Sequence, residues 1–215
     1  MDHEAISAAA MQEEIWTGRP GSAPPYAWER RRDFLLAHVA RGHAVLDLGC
    51  GEGAFTAALA EAGARPVGVD AAEVALRRAR ERHSGLDLRR VVPGEPLPLE
   101  DASVDVVWAS EVLAFVVDTA RLLSEVRRVL RPAGRLLVTT PAHGRVRALL
   151  RGLERDLDPL GPALRFYTPT SLRSLLESFG FDEISVRAAG GRPLLRETLL
   201  AHARRAPLLT PSPRA

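Results

Sequence analysis

The chain has 215 residues, enough for one domain with an accessory segment, and its 46% hydrophobic and 26% charged residues are those of an ordinary globular protein. The single cysteine, Cys50, excludes an internal disulfide and a multi-cysteine metal site. No apolar run reaches the length of a membrane span, and the acidic, Ala-rich start is no secretory signal, so the cytoplasm is the expected compartment.

The formal net charge is +2, and all 29 basic residues are arginine. Runs such as Arg30-Arg31-Arg32 and Arg77-Arg78 fall on helical faces and read as solvated surface, so a nucleic-acid partner is not expected. Taken in order, residues 2–15 predict a short helix, 18–25 a Gly/Pro/Ser break and 26–39 a second helix. Trp16, Tyr26 and Trp28 place a large share of the few aromatic residues here.

Residues 45–48 read as a buried strand that runs straight into Gly49-Cys50-Gly51-Glu52-Gly53. Phe55, Ala58, Leu59 and Ala62 then recur at helical spacing up to Gly63. Glycines at such a turn let the backbone approach a ligand, and the helix start offers unpaired N–H groups. A nucleotide-like ligand suits this turn. Gly49, Gly51 and Ala54 also satisfy the dinucleotide pattern G-x-G-x-x-G/A. Against it, Gly53 comes one position early, and the Asp47 carboxylate repels a pyrophosphate and suits a cationic ligand. A tight turn with no ligand is the third reading.

Residues 66–70 form a short strand ending in Asp70, whose two oxygens match a vicinal diol or, alternatively, cap the predicted helix 71–82. A third strand covers 86–92, and Pro93-Gly94-Glu95-Pro96-Leu97-Pro98-Leu99 leaves it. The strand 103–110 brings Ser110 and Glu111 to the same carboxyl edge as Gly49 and Asp70. Asp118 caps an amphipathic helix with Leu122, Leu123, Val126, Val129 and Leu130 in one stripe, ended by Pro132 and Gly134. Residues 135–140 are a fifth strand. The stretch 141–167 is longer than a simple connection and reads as a lid-like insertion, with His143 at the strand tip and a helix over 148–157. Thr168 and Pro169 open a helix stopped by Gly180. Residues 181–188 and 195–203 predict two closing strands joined around Gly190-Gly191.

Four motifs in this order resemble the class I S-adenosylmethionine-dependent methyltransferases over roughly 45–180: Asp47-x-Gly49-x-Gly51-x-Gly53, Asp70, Glu95-x-Leu97-Pro98-Leu99 and Ser110-Glu111-Val112-Leu113. The run from Leu123 to Leu137 is close to a hallmark of that family. The likeness is strongest to small-molecule O-methyltransferases. It implies an α/β fold with a doubly wound, Rossmann-like, mostly parallel seven-stranded sheet, an antiparallel C-terminal strand and helices on both faces. It also implies S-adenosylmethionine as cofactor and S-adenosylhomocysteine as product. The expected layout is a helical cap over 1–41, the cofactor domain over 42–205 and a disordered tail over 206–215.

By the resemblance, the cofactor is held by Asp47, Gly49, Cys50, Gly51, Gly53, Asp70, Ala71, Gly94, Glu95, Ser110 and Glu111. Trp16, Tyr26, Phe115, His143 and Tyr167 face a small-molecule acceptor. The chain departs from the family at Pro93, where an aspartate usually meets the adenine amine, and at Ala114 and Phe115, where a histidine usually stands. His143 is therefore the candidate base. No metal is expected, and monomer and homodimer are both open. Two other readings remain: a non-catalytic S-adenosylmethionine-binding protein, and an NAD(P)-dependent oxidoreductase, which the absence of lysine disfavours.

Overall fold

The computed structural model describes residues 8–19, 21, 24–142, 165–191 and 197–207. Two helices, α1 (Ala8–Thr17) and α2 (Trp28–Leu36), precede β1 (Ala44–Leu48), α3 (Ala54–Glu61), β2 (Arg65–Asp70), α4 (Glu73–Arg82), β3 (Asp87–Arg90) and β4 (Val104–Ser110). The amphipathic α5 (Thr119–Val129) leads to β5 (Leu130–Pro141), then α6 (Pro169–Ser178), β6 (Phe181–Ala189) and β7 (Thr198–Arg205). The later helices have clear local reasons to begin. Asp118 accepts from the Arg121 N–H at α5, and Thr168 and Ser171 form a reciprocal capping box at α6.

One seven-stranded sheet runs in the order β3-β2-β1-β4-β5-β7-β6. Neighbours from β3 to β5 are parallel, and β7 is antiparallel to both β5 and β6. The expected doubly wound sheet with an antiparallel C-terminal strand is what the chain forms. Buried β1 and β4 side chains point to both faces. Leu46, Leu48 and Val107 join Leu123 and Val126 of α5 and Leu172 and Leu176 of α6 in one core. Val45, Val106 and Trp108 join Phe34 and Leu35 of α2 and Phe55 and Leu59 of α3 in the other. Because the strand order turns between β1 and β4, a crevice opens at their carboxyl ends.

Some boundaries differ from the sequence reading. The fourth helix starts at Glu73 rather than residue 71, because Asp70 Oδ1 accepts from the Ala72 N–H at 2.9 Å and holds that segment out of the helix. Helix α5 stops at Val129, before Pro132, because Leu130 is already extended and pairs with Val104. The expected helix over 148–157, residue His143 and the tail beyond 207 lie outside the described residues. Among the described residues, no helix is long and apolar enough to cross a membrane.

Candidate active site

The glycine turn is tied to β2 by its backbone. The N–H groups of Gly49 and Cys50 both donate to the Val69 carbonyl, at 2.8 and 3.0 Å. Asp70, at the tip of β2 and 7% exposed, closes the turn from below: Oδ2 accepts from Gly51 N–H and Oδ1 from Ala72 N–H, each at 2.9 Å. Each oxygen keeps a lone pair for a further donor. A Cβ on Gly49 would lie 2.5 Å from Val112 Cγ2, and one on Gly51 2.6 Å from the Trp16 ring. The turn is thus packed between the segment after β4 and helix α1, and Gly51 holds a φ of +54°, left-handed backbone that favours glycine.

Helix α1 reaches this place through charged side chains. Both Glu13 oxygens accept from the free N–H groups at the start of α4, Glu73 at 2.7 Å and Val74 at 3.1 Å. Arg78 of α4 donates to the carbonyls of Trp16 and Arg19 and also meets Glu52 of the turn. Trp16 thereby lies against Gly51, beside the cofactor glycines, whereas the family likeness grouped it with the acceptor-side residues.

Three buried or half-buried carboxylates surround the turn. Asp47, 1% exposed, accepts from Thr56 Oγ1 at 2.6 Å, and burial, helped by the charge of Asp70, pushes its pKa up to about 7. Burial also raises Asp70 and Glu111. Glu111 sits at the tip of β4 with φ +61°, left-handed backbone that a glutamate adopts only under strain. Its Oε1 accepts from Thr139 Oγ1 at 3.0 Å, while Oε2 is buried without a partner among the described residues.

One site residue escapes the sequence motifs. Arg31 of α2 is 4% exposed and enters the same cluster. Its Nε donates to Ser110 Oγ at 2.9 Å, a terminal nitrogen donates to the Tyr26 carbonyl at 2.7 Å, and the guanidinium stacks 5.0 Å above the Phe55 ring. Burial lowers its pKa, and the charges of Glu111 and Asp47 oppose that shift. Ser110 Oγ is also 2.9 Å from Thr139 Oγ1, so Arg31, Ser110, Thr139 and Glu111 form one polar chain across the tips of β4 and β5. The missed signal is spacing: Arg31 precedes the buried Phe34 and Leu35 at i+3 and i+4, so it lies on the apolar stripe of α2.

The remaining candidates are spread more widely. Gly94 and Glu95 lie exposed in the turn after β3, and Ala71 follows Asp70 directly. Cys50 is buried, and burial raises its thiol pKa, which makes it an inert wall. Phe115 follows β4 in a turn closed by its N–H on the Val112 carbonyl. Tyr26 is 47% exposed with its hydroxyl 2.8 Å from Glu197. Tyr167 is buried in the core, its hydroxyl 3.4 Å from the Leu113 carbonyl. His143 lies outside the described residues.

Comparison with known proteins gives a consistent picture. Residues 46–138 match the family model described as a methyltransferase domain. A probable S-adenosylmethionine-dependent methyltransferase of Mycolicibacterium smegmatis is 38% identical over 76% of this chain, and the match spans 62% of that relative's length. The ubiquinone biosynthesis O-methyltransferase of Hahella chejuensis is 33% identical, with 78% of this chain and 75% of that protein covered. Among solved structures, a phosphoethanolamine N-methyltransferase of Haemonchus contortus, in complex with S-adenosylhomocysteine, superposes with a TM-score of 0.68 over 94% of this chain and 58% of its own, at 18% identity.

Proposed function

Since this chain belongs to the class I S-adenosylmethionine-dependent methyltransferases, we propose that it moves the methyl group to a hydroxyl of a small-molecule acceptor. The observation that carries the reading is the carboxyl lining of the glycine turn, Asp47, Asp70 and Glu111, with Glu111 Oε2 buried and without a donor among the described residues. Such a cradle fits a ligand with an ammonium and a sulfonium and disfavours one with a pyrophosphate. In this reading Gly49, Gly51 and Gly53 provide the close backbone approach, and Asp70 takes the ribose hydroxyls on its free lone pairs. Glu111 meets the ammonium end, and Arg31 meets the carboxylate of the amino-acid moiety. Ala71, Gly94, Glu95 and Ser110 complete the pocket, with Asp47 acting through its charge from below the turn.

S-Adenosylmethionine supplies an already activated methyl group, so the chain's task is to orient the acceptor and exclude water. Trp16, Tyr26, Phe115 and Tyr167 are the proposed acceptor-side groups, and His143 is the proposed proton acceptor. The name of the Hahella relative supports an oxygen acceptor on a small, quinone-like ring. The test has two steps. Calorimetry should find saturable binding of S-adenosylmethionine and none of NADH. Mass spectrometry should then find a methyl gain on members of a panel of catechols and hydroquinones and none on the matching amines. Tight NADH binding without S-adenosylmethionine binding would overturn the cofactor reading, and methylated amines alone would overturn the oxygen acceptor.

A further inference from the structure

A groove of mixed polar and apolar lining lies away from the glycine turn, roofed by α2 and floored by β6 and β7. Its volume is about 430 Å³, and Arg30, Asp33, Phe34, His38, Arg187 and His202 are its principal lining residues. That size suits a small metabolite. Two arginines supply its positive charge, and the Glu197 carboxylate stands with the Arg30 guanidinium beside Gly190, at the edge of the groove. Among the described residues, Arg30 and Arg187 have no ion pair and no side-chain hydrogen bond; Arg187 only stacks over the Phe34 ring at 5.7 Å. The single acid of the lining, Asp33, is already paired with Arg32 at 3.0 Å. The His38 and His202 rings face each other at 4.9 Å. His202 is held below the ordinary histidine range by burial, by His38 and by Arg135, with Glu183 opposing.

We propose that this groove is a second binding site, for a small phosphate-bearing ligand seated between the Arg30 and Arg187 guanidiniums above the His38–His202 pair. Guanidinium forks match phosphate oxygens two at a time. An anion there would also favour the charged form of His202, so binding strengthens as the pH falls. The Asp33 carboxylate is engaged by the Arg32 guanidinium, which offsets its repulsion of the ligand. The groove is coupled to the glycine turn through one element. Arg30 faces the groove and Arg31, the next residue of α2, enters the cofactor cluster. A ligand on one side therefore holds the helix that the other side needs, and the coupling is reciprocal. Only this coupling rests on the proposed function; the site itself does not.

The experiment uses the full chain and inorganic pyrophosphate, titrated by calorimetry at constant ionic strength without cofactor. Saturable binding is expected in the millimolar range or tighter, several-fold stronger at pH 6 than at pH 8. Arg30→Gln and Arg187→Gln should each weaken it about tenfold, with Arg187→Lys intermediate. Arg30 is exposed, so its loss leaves the fold intact and the melting temperature unchanged. Absence of saturation at about 10 mM, or equal affinity in wild type and both glutamine variants, would overturn the site. Binding of a single-stranded oligonucleotide through these arginines with none of pyrophosphate would overturn the small ligand. If pyrophosphate binds but leaves the affinity for S-adenosylmethionine unchanged, the coupling fails and the site stands.

Discussion

Asp47 shows how a buried charge shapes this protein at the scale of one residue. Its folded pKa of about 7 lies above the value it has in the unfolded chain, so the folded state keeps a proton that the unfolded state has lost. Its contribution is least unfavourable at acid pH, and stability falls as the pH rises from about 4 through that folded value. Asp47→Asn should therefore raise the free energy of unfolding at pH 8 and not at pH 4, by a few kcal/mol at most, at about 1.4 kcal/mol per unit. The same variant should bind S-adenosylmethionine more weakly at pH 8. Arg31 gives the converse case. Arg31→Leu leaves Ser110 and the Tyr26 carbonyl without their donor and removes the cation beside Glu111 and Asp47. It should cost about 3 kcal/mol in urea unfolding at pH 8, and less at pH 5, below the Asp47 value of about 7. An equal loss at the two pH values would show that Arg31 acts through packing alone. Asp47 and Asp70 could be read from their spacing to the glycines. Arg31 could not, because it stands inside an arginine run whose neighbours are solvated. The strain at Glu111 leaves no trace in residue type.

At the scale of elements, the strands were legible because a parallel sheet covered on both faces needs near-continuous apolar runs, as in Val106 to Ala109. The ends of elements were less so, because distant partners set them. The start of α4 is fixed by Asp70 and by Glu13, which lies 60 residues away in the chain. Glu13→Ala should free α1, with faster amide exchange at Glu73 and Val74, unchanged exchange in β1 and β4, and a loss of about 1 kcal/mol. Slow exchange at Glu73 in that variant would mean that its N–H is protected without the Glu13 carboxylate. Strand β2 carries a second kind of constraint. A Cβ on Gly68 would lie 2.7 Å from Leu88 Cδ2, 3.0 Å from Thr56 Oγ1 and 3.1 Å from Cys50 Sγ. Gly68→Ala should destabilise by about 1–3 kcal/mol, and it should also disturb the Thr56 bond to Asp47. The sequence marked the glycines of the turn and passed over this one, since a crowded neighbourhood is a property of the packed sheet.

For the whole molecule, the cofactor is expected to arrive as a cation at a place where Asp47, Asp70 and Glu111 all hold protons more readily than usual. Loading should therefore release protons. Calorimetry in two buffers of different ionisation heat should find a net release near pH 6 that shrinks by pH 8. Affinity should rise over the same range. Proton uptake instead would place the ligand's positive end elsewhere. The left-handed backbone of Glu111 bears on how this sequence is able to change. A glutamate there costs on the order of 1 kcal/mol of strain that glycine or asparagine would not incur. In a saturation library sorted by resistance to protease alone, position 111 should drift to those two residues. In the same library sorted by retention of S-adenosylmethionine, glutamate should persist, and the two populations would separate at a single codon.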